Sequence, residues 1–231
     1  MIVTHRTTLA NTTVDLLPDR ALFLPDTRTL IVADVHWGKA AAFRAHGVPV
    51  PHGTTRTGLD RLDALLTHTS AVQLLVLGDL IHARLGMQPD TIAALERWRG
   101  AHRDLAITLV RGNHDYRAGD PPASLGIRCV DAPLHVGPFA LHHHPTSDPS
   151  GYVLAGHVHP VVQLRGRGRQ RVTLPCFAFG ESAALLPAFG EFTGGGVIDQ
   201  RDFTRTFVIA DDAVLPLEPS FAGQPPYTTP G

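Results

Sequence analysis

Five short apolar runs along the chain are each followed, within a residue or two, by Asp, Asn or His. The runs are residues 30–33, 76–77, 106–110, 139–141 and 152–155. Short apolar runs bounded by Gly or polar residues are typical of buried strands. Ligand sites in open α/β sheets collect at the carboxyl ends of the strands. The pattern therefore predicts five strands that direct polar side chains to one edge of the fold.

Helical periodicity lies between the first three of these runs. Thr54 can cap a first helix, and a second is predicted over residues 89–99. The buried stripe of the first helix is Leu59, Leu62, Leu65 and Leu66. The order strand, helix, strand, helix, strand indicates a mostly parallel central sheet. After Asp115 the helical signal fades, and short strands dominate the rest of the chain.

Composition indicates a globular protein with one sizeable core. The chain has 231 residues, 43% hydrophobic and 18% charged, and no stretch approaches the roughly 18 apolar residues of a membrane span. We expect a single domain over residues 1–215 and a loose, Pro/Gly-rich tail over residues 216–231. No secretory signal is visible, which predicts a cytoplasmic location. A net charge of −1 excludes a strongly basic nucleic-acid binder.

Histidine is the residue type that changes this picture. The chain has 14 histidines, many beside Asp, Asn or Gly, which points to metal chemistry. The two cysteines, Cys129 and Cys176, form no C-x-x-C pair and are expected to be free thiols. Carboxylate, amide oxygen and imidazole suit two divalent ions, Mn²⁺ first and Fe²⁺ or Zn²⁺ as alternatives. The absence of cysteine ligands argues against a closed structural zinc site.

The order of these polar blocks resembles the signature of the calcineurin-like metallophosphoesterases. The blocks are Asp34-x-His36, Gly78-Asp79, Gly112-Asn113-His114-Asp115, a histidine cluster at 142–144, and Gly156-His157-x-His159. The resemblance covers residues from about 30 to 160 and implies an α/β fold, a four-layer α/β/β/α sandwich of two mixed sheets. It also implies two metal positions. One would be held by Asp34, His36, Asp79 and His159, the other by Asp79, Asn113, one histidine of the cluster and His157.

The resemblance assigns roles around these metals. Two ions about 3.5–4 Å apart would lower the pKa of a shared water, so that a metal-bridged hydroxide attacks phosphorus. His114 would not be a ligand but would stabilise the transition state or protonate the leaving oxygen, with Asp115 fixing its tautomer and orientation. Because strand residues alternate between faces, only one of His142 and His143 can reach the metals. The subfamily pattern favours His143, with His142 as the fallback. His82 is expected to support the ligands.

A finer resemblance points to the ligase-associated DNA damage response endonuclease family, PdeM. It is carried by residues 37–44, 47–51, 186–190 and 192–195. The resemblance implies a phosphodiesterase or nuclease in DNA repair, functionally associated with DNA ligase and helicase. The substrate would be a phosphodiester, either DNA or a cyclic nucleotide.

Four cations are candidate contacts to substrate phosphate. They are Lys39, Arg44, Arg167 and Arg169, the last two in a basic turn over residues 165–171. A solvated helix face and a solvated hairpin tip explain them equally well. Three alternative functions also stay open: a 2′,3′-cyclic nucleotide phosphodiesterase, a phosphomonoesterase, and a non-catalytic metal-binding module for protein contacts. The intact ligand set argues against the last of these.

We expect activity lost on chelation to return with Mn²⁺ before Mg²⁺, because imidazole ligands disfavour a hard, strongly hydrated ion. Metal-free protein reconstituted with each ion in turn, and assayed on an aryl phosphodiester, measures this order. Full activity in Mg²⁺ alone would contradict a histidine-rich site.

Overall fold

The apolar runs form strands, as predicted, and the strands assemble into two mixed sheets. The structure is a computed structural model that describes residues 3–51, 53–166 and 170–218. Strands of the first sheet are β1 His5–Leu9, β2 Thr12–Leu17, β3 Ala21–Leu24, β4 Thr29–Ala33, β5 Gln73–Leu77, β6 Ala106–Val110 and β7 Arg128–Val130, in that spatial order. The pairs from β1 to β4 are antiparallel, and those from β4 to β7 are parallel.

The second sheet is built from the remainder of the chain. Its strands are β8 Leu134–Val136, β9 Phe139–Leu141, β10 Tyr152–Ala155, β11 Pro160–Arg165, β12 Arg171–Phe179, β13 Ala183–Leu185, β14 Gly196–Val197, β15 Arg205–Ala210 and β16 Ala213–Leu217. Their order is β14-β11-β12-β13-β10-β9-β8, and β15 pairs with both β12 and β16. β16 includes Pro216 and Leu217, which the predicted domain boundary had assigned to the tail; residues 219–231 lie outside the described chain.

The described residues form four α-helices, α1 Lys39–Ala45, α2 Thr54–Thr69, α3 Pro89–Ala101 and α4 Asn113–Ala118. α2 begins after Gly53, which has φ 89 and takes the cap position predicted for Thr54. α4 was not predicted, because its six residues are too few to show helical periodicity. None of the helices in the described ranges is long and apolar enough to cross a bilayer.

Side chains of the first sheet alternate between two apolar cores. On one face Leu30, Val32 and Val76 pack against the leucine stripe of α2 and against Leu95 of α3. On the other face Ile31, Leu75 and their neighbours pack against the second sheet, including Phe139, Phe177 and Phe179. A strand with both faces buried is apolar throughout, which explains the continuous apolar runs. The predicted α/β fold with two mixed sheets is therefore confirmed.

The outer face of the second sheet has a thinner cover. Ala140, Val153 and Ala178 pack there with Ile198 and Phe203, which flank a 3₁₀ turn at Gln200–Asp202. None of the residues in this cluster belongs to the four α-helices. The fourth layer of the predicted sandwich is thus represented here by a short turn and its flanking loop.

The core between the sheets can be tested within one strand. Phe177 in β12 is fully buried, so Phe177→Ala should lower the free energy of unfolding by about 3–5 kcal/mol. Val172 in the same strand is 51% exposed, so Val172→Ala should change it by less than about 0.5 kcal/mol. Urea denaturation measures both values. Equal losses would contradict the inter-sheet core.

Candidate metal centre

The polar blocks meet because the strands that carry them end at one edge. Ala33 at the end of β4 lies opposite Leu77 of β5, which lies opposite Val110 of β6. In the second sheet, Leu141 of β9 lies opposite Leu154 of β10. The loops that follow these strands connect the two sheets through side chains. The five-strand prediction therefore holds in the structure.

Five of the seven predicted metal ligands have left-handed backbone conformations. They are Asp34, His36, Asp79, His157 and His159, with φ of 53, 53, 51, 66 and 50°. This conformation costs a non-glycine residue about 1–2 kcal/mol. Hydrogen bonds between neighbouring loops hold it in place, such as His36 N–H to the Asp79 carbonyl at 2.8 Å. Strained backbone of this kind clusters at functional sites.

Asp79 occupies the middle of the cluster. Its Oδ1 accepts the His114 backbone N–H at 2.9 Å and lies 3.4 Å from His143 Nε2. Its Oδ2 lies 3.9 Å from His36 Nε2 and equally far from His114 Nε2. The two oxygens of one buried carboxylate therefore face different histidines. This is the arrangement needed of a carboxylate shared between two ions.

Asp34 and two histidines form one side of the cluster. Asp34 Oδ2 accepts the His157 N–H at 2.9 Å, whereas Oδ1 lies 3.4 Å from His159 Nε2. Within the described residues, Asp34 Oδ1 and both ring nitrogens of His36 are buried without a hydrogen-bond partner. Burial, followed by the charge of Lys39, lowers the pKa of His36 to about 2. Neutral imidazole and unpaired carboxylate oxygen are what a divalent cation requires.

His143, Asn113 and His157 form the other side. His143 Nδ1 donates to the Leu77 carbonyl at 3.1 Å, so its Nε2 carries the lone pair. That Nε2 lies 3.0 Å from Asn113 Oδ1 and 3.2 Å from His157 Nδ1. Burial lowers the pKa of His143 to about 4. His143 Nε2, Asn113 Oδ1 and His157 Nδ1 can all act as acceptors and lie close together, which is the arrangement that a bound cation needs.

The structure separates the two candidate histidines that follow β9. His143 is buried in the cluster, whereas His142 Nε2 pairs with Asp148 Oδ2 at 2.8 Å. The structure therefore places His143, and not His142, in the cluster.

Asp115 does not orient His114, and this prediction is wrong. Asp115 Oδ1 accepts the Ile81 N–H at 3.1 Å, and Oδ2 accepts the Gly112 N–H at 2.9 Å. Burial raises the pKa of Asp115 to about 6, although both hydrogen bonds lower it. His114 Nδ1 instead donates to the His82 carbonyl at 2.7 Å. Asp115 stands at the third position of α4, where a carboxylate caps its own helix.

Two further histidines belong to the cluster. The His82 ring stacks on His114 at 4.9 Å, and burial lowers the pKa of His82 to about 4. With His36, these two residues place ligand atoms within 4.8 Å of one another. The exposed His144 lies with its ring centroid 4.0 Å from that of His157. Its position next to His143 was the only sequence signal for His144.

Two of the residues predicted to contact phosphate, Lys39 and Arg44, lie in different surroundings. Lys39 begins α1 and lines a depression together with His36; burial lowers its pKa, while the carboxylates of Asp34 and Asp79 raise it. Arg44 was also predicted to contact phosphate, but its Nη1 donates to the Pro51 carbonyl at 2.8 Å. Arg44, in α1, therefore binds the loop that follows the helix, and its contact with phosphate stays a prediction.

The described residues that bound the basic turn, Arg165 and Arg171, lie at the end of β11 that is far from His159. Arg165 pairs with Arg171 where β11 meets β12, and Arg167 and Arg169 lie outside the described residues. At about 3.3 Å per residue, β11 carries the chain roughly 20 Å away from His159. A phosphate bound at that turn would belong to a distant part of a long substrate.

Two glycines allow the ligands to approach the backbone. A Cβ at Gly78, whose φ is 74°, would lie 2.1 Å from His143 Nδ1. A Cβ at Gly156 would lie 2.5 Å from Asp34 Oδ2. Real Cβ atoms do not approach so closely, so these positions require glycine for the cluster to close.

Residues 27–171 match the family described as calcineurin-like phosphoesterase. The matched segment contains all seven predicted metal ligands, strands β4 to β7 of the first sheet and strands β8 to β11 of the second. The chain belongs to the calcineurin-like phosphoesterase family. Membership makes it a metal-dependent hydrolase of phosphate esters, as the order of its polar blocks predicted.

Solved structures supply a more specific likeness. The chain is similar to the Pseudomonas putida nuclease MPE, at 46% identity and a TM-score of 0.82, over 93% of this chain and 100% of the nuclease. It also matches the phosphoesterase YfcE from E. coli, at 14% identity and a TM-score of 0.35, over 80% of this chain and 90% of that one. No curated protein sequence matches the chain. The predicted resemblance to a nuclease family is confirmed by the first of these likenesses.

Single substitutions of the two histidines after β9 test the ligand choice. His143→Ala should lose bound metal, because it removes the buried Nε2 that faces Asp79. His142→Ala, its matched control, should keep the metal, because His142 is paired with Asp148 outside the cluster. Elemental analysis of the purified variants measures this. A larger metal loss at position 142 would contradict the assignment.

Proposed function

We propose that this protein is a dinuclear-metal-dependent phosphodiesterase that cleaves the nucleic-acid backbone. The observation that carries the proposal is Asp79, whose two carboxylate oxygens face separate groups of histidines. The 46% identical structure is that of a nuclease, which supports a nucleic-acid substrate. The ligands we assign to the first ion are Asp34, His36, Asp79 and His159, and those to the second are Asp79, Asn113, His143 and His157.

Mn²⁺ is the ion we propose first for this mixed set of imidazole, carboxylate and amide donors, with Fe²⁺ and Zn²⁺ as the alternatives. Two divalent ions supply, when bound, a water of lowered pKa and neutralisation of the phosphate oxygens. Protonation of the leaving group and attraction of the substrate phosphate would then depend on side chains that do not bind the metals.

His114 is placed to act on the leaving group. Its Nδ1 donates to the His82 carbonyl, which directs Nε2 towards the centre, 3.9 Å from Asp79 Oδ2. The side chain is 30% exposed, so substrate can reach it. In its imidazolium form, with both ring nitrogens protonated, His114 keeps Nδ1–H on the His82 carbonyl and uses Nε2–H to donate a proton to the departing oxygen or a hydrogen bond to the phosphoryl group. Lys39 adds a cation that attracts the substrate phosphate.

We further propose a role in cytoplasmic DNA repair, in functional association with DNA ligase and helicase. The resemblance to the ligase-associated endonuclease family supports this role. DNA is thus the first substrate to test, before cyclic nucleotides.

Asp79→Ala and His114→Ala should fail in different ways. Asp79→Ala removes the shared carboxylate and should lose both ions. His114→Ala should keep both ions and lose turnover by roughly 10²- to 10⁴-fold, as expected when a general acid is removed. Metal analysis and steady-state kinetics on an aryl phosphodiester separate the two. A metal-free His114 variant would contradict its assigned role.

A substrate panel tests the proposed class directly. Mn²⁺-loaded protein should cleave DNA and an aryl phosphodiester, because the metals act on phosphodiesters in both. Exclusive hydrolysis of 2′,3′-cyclic nucleotides or of phosphomonoesters would overturn the nuclease proposal and leave the metal centre intact.

A further inference from the structure

Residues 186–193 run along the metal centre and are attached to it at two points. The N–H groups of Phe189 and Gly190 donate to the carbonyls that end β4, at 2.8 and 3.0 Å. Further along, the Thr193 carbonyl accepts from His159 Nδ1 at 2.9 Å. The segment is therefore fixed relative to the predicted ligands on both sides of its turn.

Two arginines hold the same segment by its carbonyls. Arg20 Nη1 donates to those of Ala188 and Gly190, each at 3.3 Å. Arg61 Nη1 donates to that of Phe189 at 3.0 Å, and its guanidinium lies 4.3 Å from the Phe189 ring centroid. Hydrogen bonds from charged donors are stronger than neutral ones. Three successive carbonyls are thus held in place immediately before the turn.

Phe192 lies in this turn with an unfavourable backbone conformation. Its φ is 56°, a conformation that is a genuine outlier for a bulky residue. Its side chain is 51% exposed, so burial does not compensate for the strain. Glycine or asparagine would suit the backbone better. Strained residues that are held by their surroundings are concentrated at ligand-binding sites. The strain at Phe192 therefore suggests that its ring contacts a ligand.

Phe192 borders two depressions that both reach the metal centre. One is lined by His36 and Lys39. The other is lined by His159 and Arg20. A phosphate bound beside His36 and Lys39 would lie in a depression that Phe192 also lines. Positive charge beside an exposed aromatic ring is the combination that single-stranded nucleic acid requires.

We propose that Phe192 stacks on a nucleobase next to the scissile phosphate and so positions an unpaired strand at the metal centre. The inference rests on the proposed nuclease function. A base within a duplex is already stacked on both faces, whereas an unpaired base offers a free face to an aromatic side chain. Phe192 is thus a positioning residue that favours unpaired substrate.

The test compares two substrates that differ only in their bases. One is oligothymidylate, and the other is an abasic oligonucleotide of the same length with the same phosphates. Phe192→Ala should lower kcat/KM on oligothymidylate by between about 5-fold and about 150-fold, the range for loss of one base–aromatic stack. On the abasic oligonucleotide, wild type and Phe192→Ala should be equal, because no base is present to stack.

Three further variants make the test specific. Phe192→Trp should restore kcat/KM on oligothymidylate, because indole also stacks. Phe192→Asn should raise the thermal midpoint, because asparagine tolerates the left-handed backbone, and should lose kcat/KM as the alanine variant does. Leu215→Ala is the matched control, since Leu215 is 48% exposed in β16 and borders neither depression. It should behave as wild type.

A binding measurement supplies a readout that is independent of turnover. In the His114→Ala background, which slows cleavage, fluorescence anisotropy of labelled oligothymidylate should show weaker binding when Phe192→Ala is added. Equal losses on the abasic and thymidylate substrates would overturn the stacking role. Unchanged kinetics and binding for Phe192→Ala would overturn it too, while a wild-type protein inactive on DNA would instead overturn the proposed function.

Discussion

Two buried carboxylates, Asp34 and Asp79, are the constraint on which the rest of the structure depends. Asp34 is fully buried and Asp79 is 2% exposed, and both are surrounded by histidines. An unpaired carboxylate in such an environment is costly, and proteins resolve the cost by pairing it or by binding a metal. The unpartnered nitrogens of His36 cannot supply positive charge, because burial lowers the pKa of that ring to about 2. Divalent cations are counter-ions that fit this group of carboxylates and imidazoles.

This constraint explains why the backbone around the centre is strained. The carboxylates and imidazoles must leave four strand ends and turn inward within one or two residues, which the left-handed conformation achieves. The parallel register of β4, β5 and β6 and the hydrogen bonds between their loops maintain that geometry. The apolar cores on both faces of the first sheet make the strand ends rigid. Metals bound at these residues would stabilise the folded arrangement, because the ligands come together only when the strands are in place.

Local pattern was sufficient to predict much of this arrangement. Alternating and continuous apolar runs marked the strands, and the rule that ligands gather at strand ends brought Asp34, Asp79 and Asn113 together. Strand alternation limited the choice to one of His142 and His143, and the subfamily resemblance favoured His143. Each of these inferences depends on residues close in sequence, where sterics and periodicity act directly.

Other features depend on contacts that sequence pattern does not encode. Arg20 binds carbonyls 168 and 170 residues away, so its role in holding the segment before Phe192 was not predictable. The role of Asp115 was misread because α4, the helix it caps, was itself too short to predict. Arg44 is turned to its own loop by a carbonyl seven residues away. The strain at Phe192 likewise emerges only from the three-dimensional course of the chain.

Anomalous diffraction from crystals of the Mn²⁺-loaded protein tests the central claim most directly. The account predicts two manganese peaks about 3.5–4 Å apart, with the Asp79 carboxylate between them and one oxygen on each. One peak should lie beside Asp34 and His159, and the other beside Asn113 and His143. A single peak, or a second peak that Asp79 does not contact, would contradict the dinuclear centre.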